Sequence, residues 1–402
     1  MPVDQSIPKI SVVLPSYNHA SFIIDALNSI LAQTETDYDI LIIDDASTDN
    51  SVEVICSFMD SHPNAPVRLI QHIENRGGVI TLNDLIENTS GEYIALINSD
   101  DIWLPEKLTI QRMYLDDHPE VGAVFTQALI IDEAGKVVTD AVHFSADIFI
   151  QKNRCRGAWL RRMFLDLNCL CHPSVLIRRS VYREVGLYDP RYRQLPDMQM
   201  WIRLLKHIDI HIIEKPLVHL RFHRSNTSQV NIQNSRRNIN ELNFIMQNFF
   251  DNMSDAVFRE GFGDLWMNPR AVTKTDLICE QALIYFHPDL KLKPVYFNIG
   301  LRKLFDLLSQ SEARQVLWQN YQIGYDEFFA LSGQFMVEGF AYSPENFQVD
   351  QARRTGTWLD DQLVPQSAPA TARDWVIQRA SKIPILYKLL RGMWRWLQGY
   401  KN

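Results

Sequence analysis

The chain has 402 residues, room for two or three domains at roughly 100–200 residues each. Hydrophobic residues make up 46% and charged residues 22%, and 40 basic against 48 acidic side chains give a net charge of −8, a balance that argues against a dedicated nucleic-acid binder. No apolar run approaches the ~20 residues of a membrane-spanning helix, and the opening Met-Pro-Val-Asp-Gln-Ser lacks the basic and apolar regions of a signal peptide, so neither spanning nor secretion is expected. The five cysteines (Cys56, Cys155, Cys169, Cys171 and Cys279) fit a reducing compartment. Cys169-Leu-Cys171-His172 lacks zinc-knuckle spacing, so these residues read as free thiols.

Ile10-Ser-Val-Val-Leu14 is a short β-rich run ended by Pro15, and His19 to Gln33 carries Phe22, Ile23, Ala26, Leu27, Ile30 and Leu31 at helical spacing. Asp39 to Ile43 is a second strand, apolar without alternation, as expected when both sheet faces are covered. Ser47 is placed to cap a second helix running to Asp60. A third strand at Val67 to Gln71, a third helix at Gly78 to Asn88 and a fourth strand at Tyr93 to Ile97 complete the rhythm. This alternation predicts an α/β fold with a mostly parallel sheet and crossover helices, whose ligands bind beyond the carboxyl ends of the strands.

Four polar clusters follow the four strands: Pro15-Ser16-Tyr17-Asn18, Asp44-Asp45-Ala46-Ser47-Thr48-Asp49, Asn75-Arg76-Gly77-Gly78 and Asn98-Ser99-Asp100-Asp101. Each alone reads as a turn or cap, which Asn, Asp and Ser favour, and Asp49 is read that way. Together they offer an aromatic face for a base, a carboxylate for its ring N–H, and paired acids for a hard divalent cation that leaves sites for diphosphate oxygens. There is no Gly-x-Gly-x-x-Gly after the first strand and no Gly-x-x-x-x-Gly-Lys-Ser/Thr loop, which disfavours a dinucleotide or P-loop site.

The runs Ile10-Ser-Val-Val-Leu-Pro-Ser-Tyr-Asn18, Ile42-Ile-Asp-Asp-Ala-Ser-Thr-Asp49 and Gly91-Glu-Tyr-Ile-Ala-Leu-Ile-Asn-Ser-Asp-Asp101 resemble family-2 glycosyltransferases. The likeness continues through His172 to Ser180, Val185 to Asp189, Pro196 to Leu204 and Arg221 to Ser228, about the first 230 residues. It implies the GT-A fold and transfer of one sugar, with inversion, from a nucleoside-diphosphate sugar; the choice of UDP rests on the resemblance alone. It implies that Tyr17 and Asp45 hold the base, that Pro15 and Asn18 shape its pocket, and that Asp100 faces the ribose or donor sugar. Asp101 is then the direct ligand of Mn²⁺ or Mg²⁺, and His223 matches a late histidine near the metal or diphosphate, with a solvated turn histidine as the alternative. Arg76 is a diphosphate contact or a surface arginine, and His172 an acceptor-side or packed structural histidine. Asp197 matches the base that takes the acceptor hydroxyl's proton, a role needed because a sugar hydroxyl is a poor nucleophile. Trp201 and Arg203 match too, whereas Pro196 replaces the family's preceding Glu. The plain alternative for Asp197 is an N-cap of a Met198 to Leu205 helix.

Asn226 to Asn240 reads as an exposed connector or polar helix, and helical periodicity dominates from Glu241 to about Phe335. Tyr342 to Thr371 is rich in proline and polar residues. Beyond it, Lys388, Arg391 and Arg395 form one stripe, with Trp394 and Trp396 nearby, suited to an anionic membrane surface or to docking on protein. The expected organisation is a GT-A domain over 1–230, a mainly α-helical region over 231–340, a linker or loop over 341–371 and a basic amphipathic tail over 372–402. The expected protein is a cytoplasmic glycosyltransferase, peripheral on the inner face of the cell membrane. It takes a nucleotide-sugar donor, a glycan or lipid-linked acceptor and no nucleic acid. Two rival readings are a catalytically silent GT-A scaffold, for which Pro196 speaks, and a sugar nucleotidyltransferase, which should carry a Gly-rich basic loop after the first strand.

Overall fold

Strands whose residues are apolar on both faces must lie inside a covered sheet, and three of the four in the first hundred residues do. The protein is described by a computed structural model that covers residues 8–138, 147–224, 226, 231–291 and 293–333. It divides into two compact units, Met1–Gly261 and Phe262–Asn402. The first opens with β1 (Ile10–Ser16), α1 (Ile23–Leu31), β2 (Tyr38–Asp44), α2 (Ser51–Ser61), β3 (Val67–Gln71), α3 (Gly78–Glu87) and β4 (Tyr93–Leu96). These four strands run parallel, with Ser16 level with Asp44 and Asp44 level with Gln71, so three strand ends finish flush. The outermost of them, β3, is partly exposed along its length, as an edge strand should be.

Pro15 does not end β1. The Val13 carbonyl accepts from Ile97, so odd-numbered residues of β1 turn their backbone groups towards β4. β4 stops at Leu96, opposite Val13, and the N–H that Pro15 lacks therefore breaks no ladder bond. α1 starts at Ile23, later than the spacing predicts, because His19 to Phe22 form a turn in which the His19 carbonyl accepts the Phe22 and Ile23 amides. Ser47 does not cap α2; its hydroxyl donates to Asp44 instead, and the helix begins four residues later.

The sheet is completed by β5 (Ile102–Trp103), α4 (Lys107–Asp117), β6 (Val121–Ile131), α5 (Arg156–Asp166), β7 (Leu176–Arg178), α6 (Arg179–Val185), α7 (Pro196–Leu205) and β8 (Asp209–Arg221). The strand order is β3-β2-β1-β4-β7-β6-β8-β5, with β7 antiparallel to both neighbours and β6 parallel to β8. The hydrophobic core joins Ile10, Val12, Leu14, Ile40, Ile42 and Ala95 of the sheet to Ala26, Leu27 and Ile30 of α1. α8 (Ile232–Gln247) is the polar helix, capped by the Asn231 side chain accepting the Asn234 amide, and α9 (Asp255–Phe262) follows it.

The second unit contains α10 (Lys274–Leu283), α11 (Lys293–Leu308), α12 (Ser311–Tyr321) and α13 (Tyr325–Ser332). Their core includes Cys279, Leu283, Phe297, Leu304, Leu317 and Tyr321. Thr273 and Asp276 form a capping box at the start of α10. The linker expected over 341–371 and the tail expected over 372–402 lie outside the described residues. Among those that are described, no helix is long and apolar enough to cross a membrane.

α5 and the end of α9 touch through backbone: a Cβ on Gly157 would lie 2.6 Å from the Gly261 nitrogen, and one on Gly261 would lie 2.4 Å from the Gly157 oxygen. No side chain fits between them. Gly157→Ala is therefore expected to destabilise the first unit by about 1–3 kcal/mol through overpacking. A urea midpoint identical to wild type would contradict the backbone contact.

Candidate active site

Beyond the flush strand ends, the loops after β1, β2 and β3 are tied together by side chains of the polar clusters. Asn18, at φ 54°, accepts the Thr48 amide at 2.7 Å through Oδ1, while its own amide donates to the Ser47 hydroxyl at 2.9 Å. Its side chain shapes the loop. Asp44 is buried and accepts from Ser16 Oγ, Ser47 Oγ and the Ser47 amide. The buried Asp45 carboxylate meets His72 Nδ1 at 2.8 Å and accepts the amides of Arg76 and Gly77, each at 2.8 Å. Burial alone would raise its pKa, but these hydrogen bonds outweigh it and hold the group below the usual carboxylate range. His72 also reaches Asp84 at 3.2 Å, and the Arg76 guanidinium pairs with Asp84 as well. Tyr17 stands beside this network with 44% of its surface exposed, and Pro15 is half-buried beneath it in sequence.

The loop after β4 separates two adjacent acids. Asp101 turns inward: Oδ1 accepts the Arg221 amide at 2.8 Å and Oδ2 accepts from Asn98 Nδ2 at 2.8 Å. Burial, followed by the neighbouring Asp100 charge, pushes its pKa well above the ordinary value. Asp100 turns the other way, with Oδ2 at 3.0 Å from His223 Nε2 and 3.1 Å from Asn226 Nδ2. The His19 ring lies edge-on to that of His223, centroids 5.3 Å apart, and its Nδ1 is 2.7 Å from Ser99 Oγ. One ligand atom from each of His19, Asp100 and His223 lies within 4.8 Å of the others. Two imidazole nitrogens and a carboxylate oxygen form a donor set that fits a divalent cation. Burial pushes the His19 imidazole pKa down, which favours the neutral form that can bind a metal. His223 is buried, not the solvated turn histidine of the alternative reading.

The helix α7 carries Asp197. Pro196 occupies a first-turn position where its missing N–H leaves nothing unpaired. The N-cap residue is Leu195 and Asp197 lies inside the first turn, so Asp197 is not the cap that its sequence position permits. Asn168 Nδ2 donates to its Oδ2 at 2.8 Å and the Met198 amide to its Oδ1 at 2.8 Å. Burial pushes the carboxyl up to about 6, against these hydrogen bonds. The helix is pegged in place by Trp201, edge-on to Phe125 at 4.9 Å, and by Arg203, which donates to the Val185 and Leu187 carbonyls. Ahead of it, the buried Glu241 of α8 accepts three consecutive amides, Arg193, Gln194 and Leu195, at 2.8 to 2.9 Å. The Cys171 thiol, buried and pushed up, feels the charges of both Asp101 and Asp197. His172 bonds the Tyr188 hydroxyl at 2.9 Å, and burial depresses it to about 3. Asp189 is held ionised by Arg191, which bonds both of its oxygens.

Two networks therefore emerge, one of Asn18, Asp45 and Arg76 and one of Asp100 and His223, with Asp101 behind the second. His19, His72, Asp84, Asn168 and Glu241 carry no sequence signal, since the hydrogen-bond partners they meet are 8 to 80 residues away with no periodicity to mark them.

Residues 11–186 match the profile described as glycosyl transferase family 2. An uncharacterized glycosyltransferase of Nostoc, alr2836, is 32% identical over 190 residues, 45% of this chain and 54% of that protein. A Bacillus subtilis relative provisionally named a teichuronic acid biosynthesis glycosyltransferase, TuaG, is 27% identical over 202 residues, 50% of this chain and 73% of that protein. The matched regions span between 22% and 73% of the curated relatives' own lengths. The fold is shared with a crystal structure of S. aureus TarS 1-349 in complex with UDP-GlcNAc, at a TM-score of 0.53 and 14% identity, covering 89% of this chain and 94% of that one. The architecture is thus GT-A: a parallel-dominated sheet with crossover helices, followed by further helices.

The raised Asp197 pKa has a consequence for stability. An unfolded Asp titrates near about 3.9, so ionising the folded group above pH 6 costs on the order of 3 kcal/mol, and the cost fades as pH falls from 6 towards 4. Asp197→Asn is therefore expected to raise the urea midpoint at pH 8 and to leave it near wild type at pH 4. A loss of stability at pH 8 would contradict a half-buried, desolvated carboxylate.

Proposed function

We propose that this protein, whose residues 11–186 match the profile described as glycosyl transferase family 2, moves one sugar, with inversion, from a UDP-sugar to a hydroxyl of a glycan or lipid-linked acceptor. One juxtaposition carries the reading: the cation-fit cluster of Asp100, His223 and His19 sits at the same strand-end edge as Tyr17 and Asp45. Tyr17 offers its exposed ring to the base, and Asp45, held ionised, accepts the base N–H. Pro15 and Asn18 set the floor and the loop of this pocket. Arg76 gives its amide to Asp45 and its guanidinium to Asp84, so its role is to fix the pocket wall, not to reach the diphosphate. The resemblance to TarS, solved with UDP-GlcNAc, supports the uridine part, and the name of TuaG supports a surface glycan as acceptor.

The metal-ligand role expected of Asp101 passes in this reading to Asp100. Asp101 has both oxygens engaged by Arg221 and Asn98, whereas Asp100 faces His223. Asp100 and His223 would hold Mn²⁺ or Mg²⁺, which offsets charge on the departing diphosphate when bound. Asp197 takes the proton of the acceptor hydroxyl. The freed oxygen forms its bond to the sugar C1 on the face opposite the breaking C1–O(phosphate) bond, which inverts the centre. Asn168 fixes the orientation of the Asp197 carboxylate, and the Trp201 and Arg203 anchors fix the helix beneath it. A cytoplasmic location at a membrane surface, with the basic tail 372–402 on anionic lipid, completes the proposal from the sequence.

With a carboxyl at about 6, transfer from UDP-sugars should fall roughly tenfold per pH unit below pH 6 and level off above it. Asp197→Asn should retain donor binding and lose about 10²–10⁴ of the transfer rate. A screen of UDP-sugars in which Asp197→Asn transfers at the wild-type rate, with the same pH profile, would overturn the assignment.

A further inference from the structure

We propose that His19 is a third protein ligand of the divalent cation, making a site of two imidazoles and one carboxylate that prefers Mn²⁺ and Co²⁺ to Mg²⁺. The inference rests on the cation reading of Asp100 and His223 given above. It adds a residue that lies on a different loop and changes which ions the site selects.

His19 is fixed from three directions. Its amide donates to Ser51 Oγ at 3.0 Å, which holds the backbone after Asn18. Its Nδ1 is 2.7 Å from Ser99 Oγ, the hydroxyl of the residue just before Asp100. Its ring rests edge-on against His223 and against Phe22, at centroid distances of 5.3 and 6.1 Å. With Nδ1 engaged by a hydroxyl, ligation falls to Nε2. An outer partner on the second ring nitrogen is what fixes a ligating histidine's orientation and tautomer. The β1 loop thereby delivers an imidazole to the place where the β4 loop delivers Asp100 and the β8 end delivers His223.

The donor set decides the ion. Mg²⁺ demands oxygen ligands and keeps most of its water, so a second imidazole adds little to its binding. Along the first-row series, nitrogen donors strengthen binding from Mn²⁺ to Co²⁺ and beyond. A site with one imidazole would separate Co²⁺ from Mg²⁺ weakly; a site with two separates them strongly. The competing account is a purely structural histidine that ties the β1 loop to Ser99.

The test is metal titration of the full chain without nucleotide, by calorimetry for Mg²⁺, Mn²⁺ and Co²⁺ and by the visible absorption of bound Co²⁺. Wild type is expected to bind Co²⁺ and Mn²⁺ more tightly than Mg²⁺. His19→Ala should weaken Co²⁺ binding by at least about tenfold, shift the Co²⁺ band and leave Mg²⁺ binding within about twofold. Ser99→Ala, which keeps the ring and removes its anchor, should weaken Co²⁺ binding by a smaller factor and serves where His19→Ala does not fold. Wild-type Co²⁺ affinity and an unshifted band in His19→Ala would overturn the inference while leaving the Asp100–His223 reading intact. Absence of Mn²⁺ and Co²⁺ binding by wild type, or equal binding by Asp100→Asn, would overturn both.

Discussion

The corner of the candidate site around Asp100 and His223 hangs on one buried arginine. Arg221 ends β8 with 2% of its surface exposed, and a guanidinium so placed must satisfy its donors within the protein. Its Nε donates to the Asp100 carbonyl, its Nη2 to Asp25 of α1 and its Nη1 to the Glu133 carbonyl beyond β6, while its amide holds the Asp101 carboxylate. Three pieces of chain that are distant in sequence, α1, the loop after β4 and the turn after β6, thus share one side chain. His223 follows two residues later and can meet Asp100 only because Arg221 has fixed both the end of β8 and the loop after β4. The Phe22 ring, packed under the guanidinium at 5.1 Å, extends the same clamp to the turn that carries His19.

The clamp also explains why two neighbouring aspartates serve different ends. Successive side chains leaving a strand point to opposite sides, so one of the pair must enter the protein. Asp101 becomes a hydrogen-bond acceptor for the backbone of β8; Asp100, also buried, turns the other way with an imidazole and an amide around it. At the other end of the site a similar economy holds for α7. The chain leading into it is fixed by Glu241, its middle by Trp201 and its last turn by Arg203, while Asp197 is held in a charged state that costs stability. The raised Asp197 pKa and the stability penalty are two descriptions of the same desolvation.

How much of this was legible in the sequence follows from the range of the forces involved. Three of the first four strands were visible because burial on both faces leaves a continuous apolar run, and the strand-end clusters followed from the parallel order. The candidate site was read at those strand ends for the same reason. The assignment within it was less so. Asp100 and Asp101 are identical in type, and only the contact to Arg221, 120 residues on, tells them apart. His72 and Asn168 act through partners 27 and 29 residues away, with no periodicity to mark them. Ser47 reads as a helix cap by type, yet Asp44 offers its hydroxyl a better partner three residues back. Pro15 reads as a strand end, and its place opposite the end of β4 removes the reason to stop.

The division between Asp100 and Asp101 is open to direct measurement by calorimetric titration of UDP into wild type, Asp100→Asn and Asp101→Asn, each with Mn²⁺ and with chelator. Wild type should bind UDP more tightly with Mn²⁺. Asp100→Asn should bind UDP equally with and without it, while Asp101→Asn, its amide still accepting from the Arg221 backbone, should keep most of the Mn²⁺ effect. The reverse pattern, with the Mn²⁺ effect lost in Asp101→Asn and kept in Asp100→Asn, would contradict the site as built here.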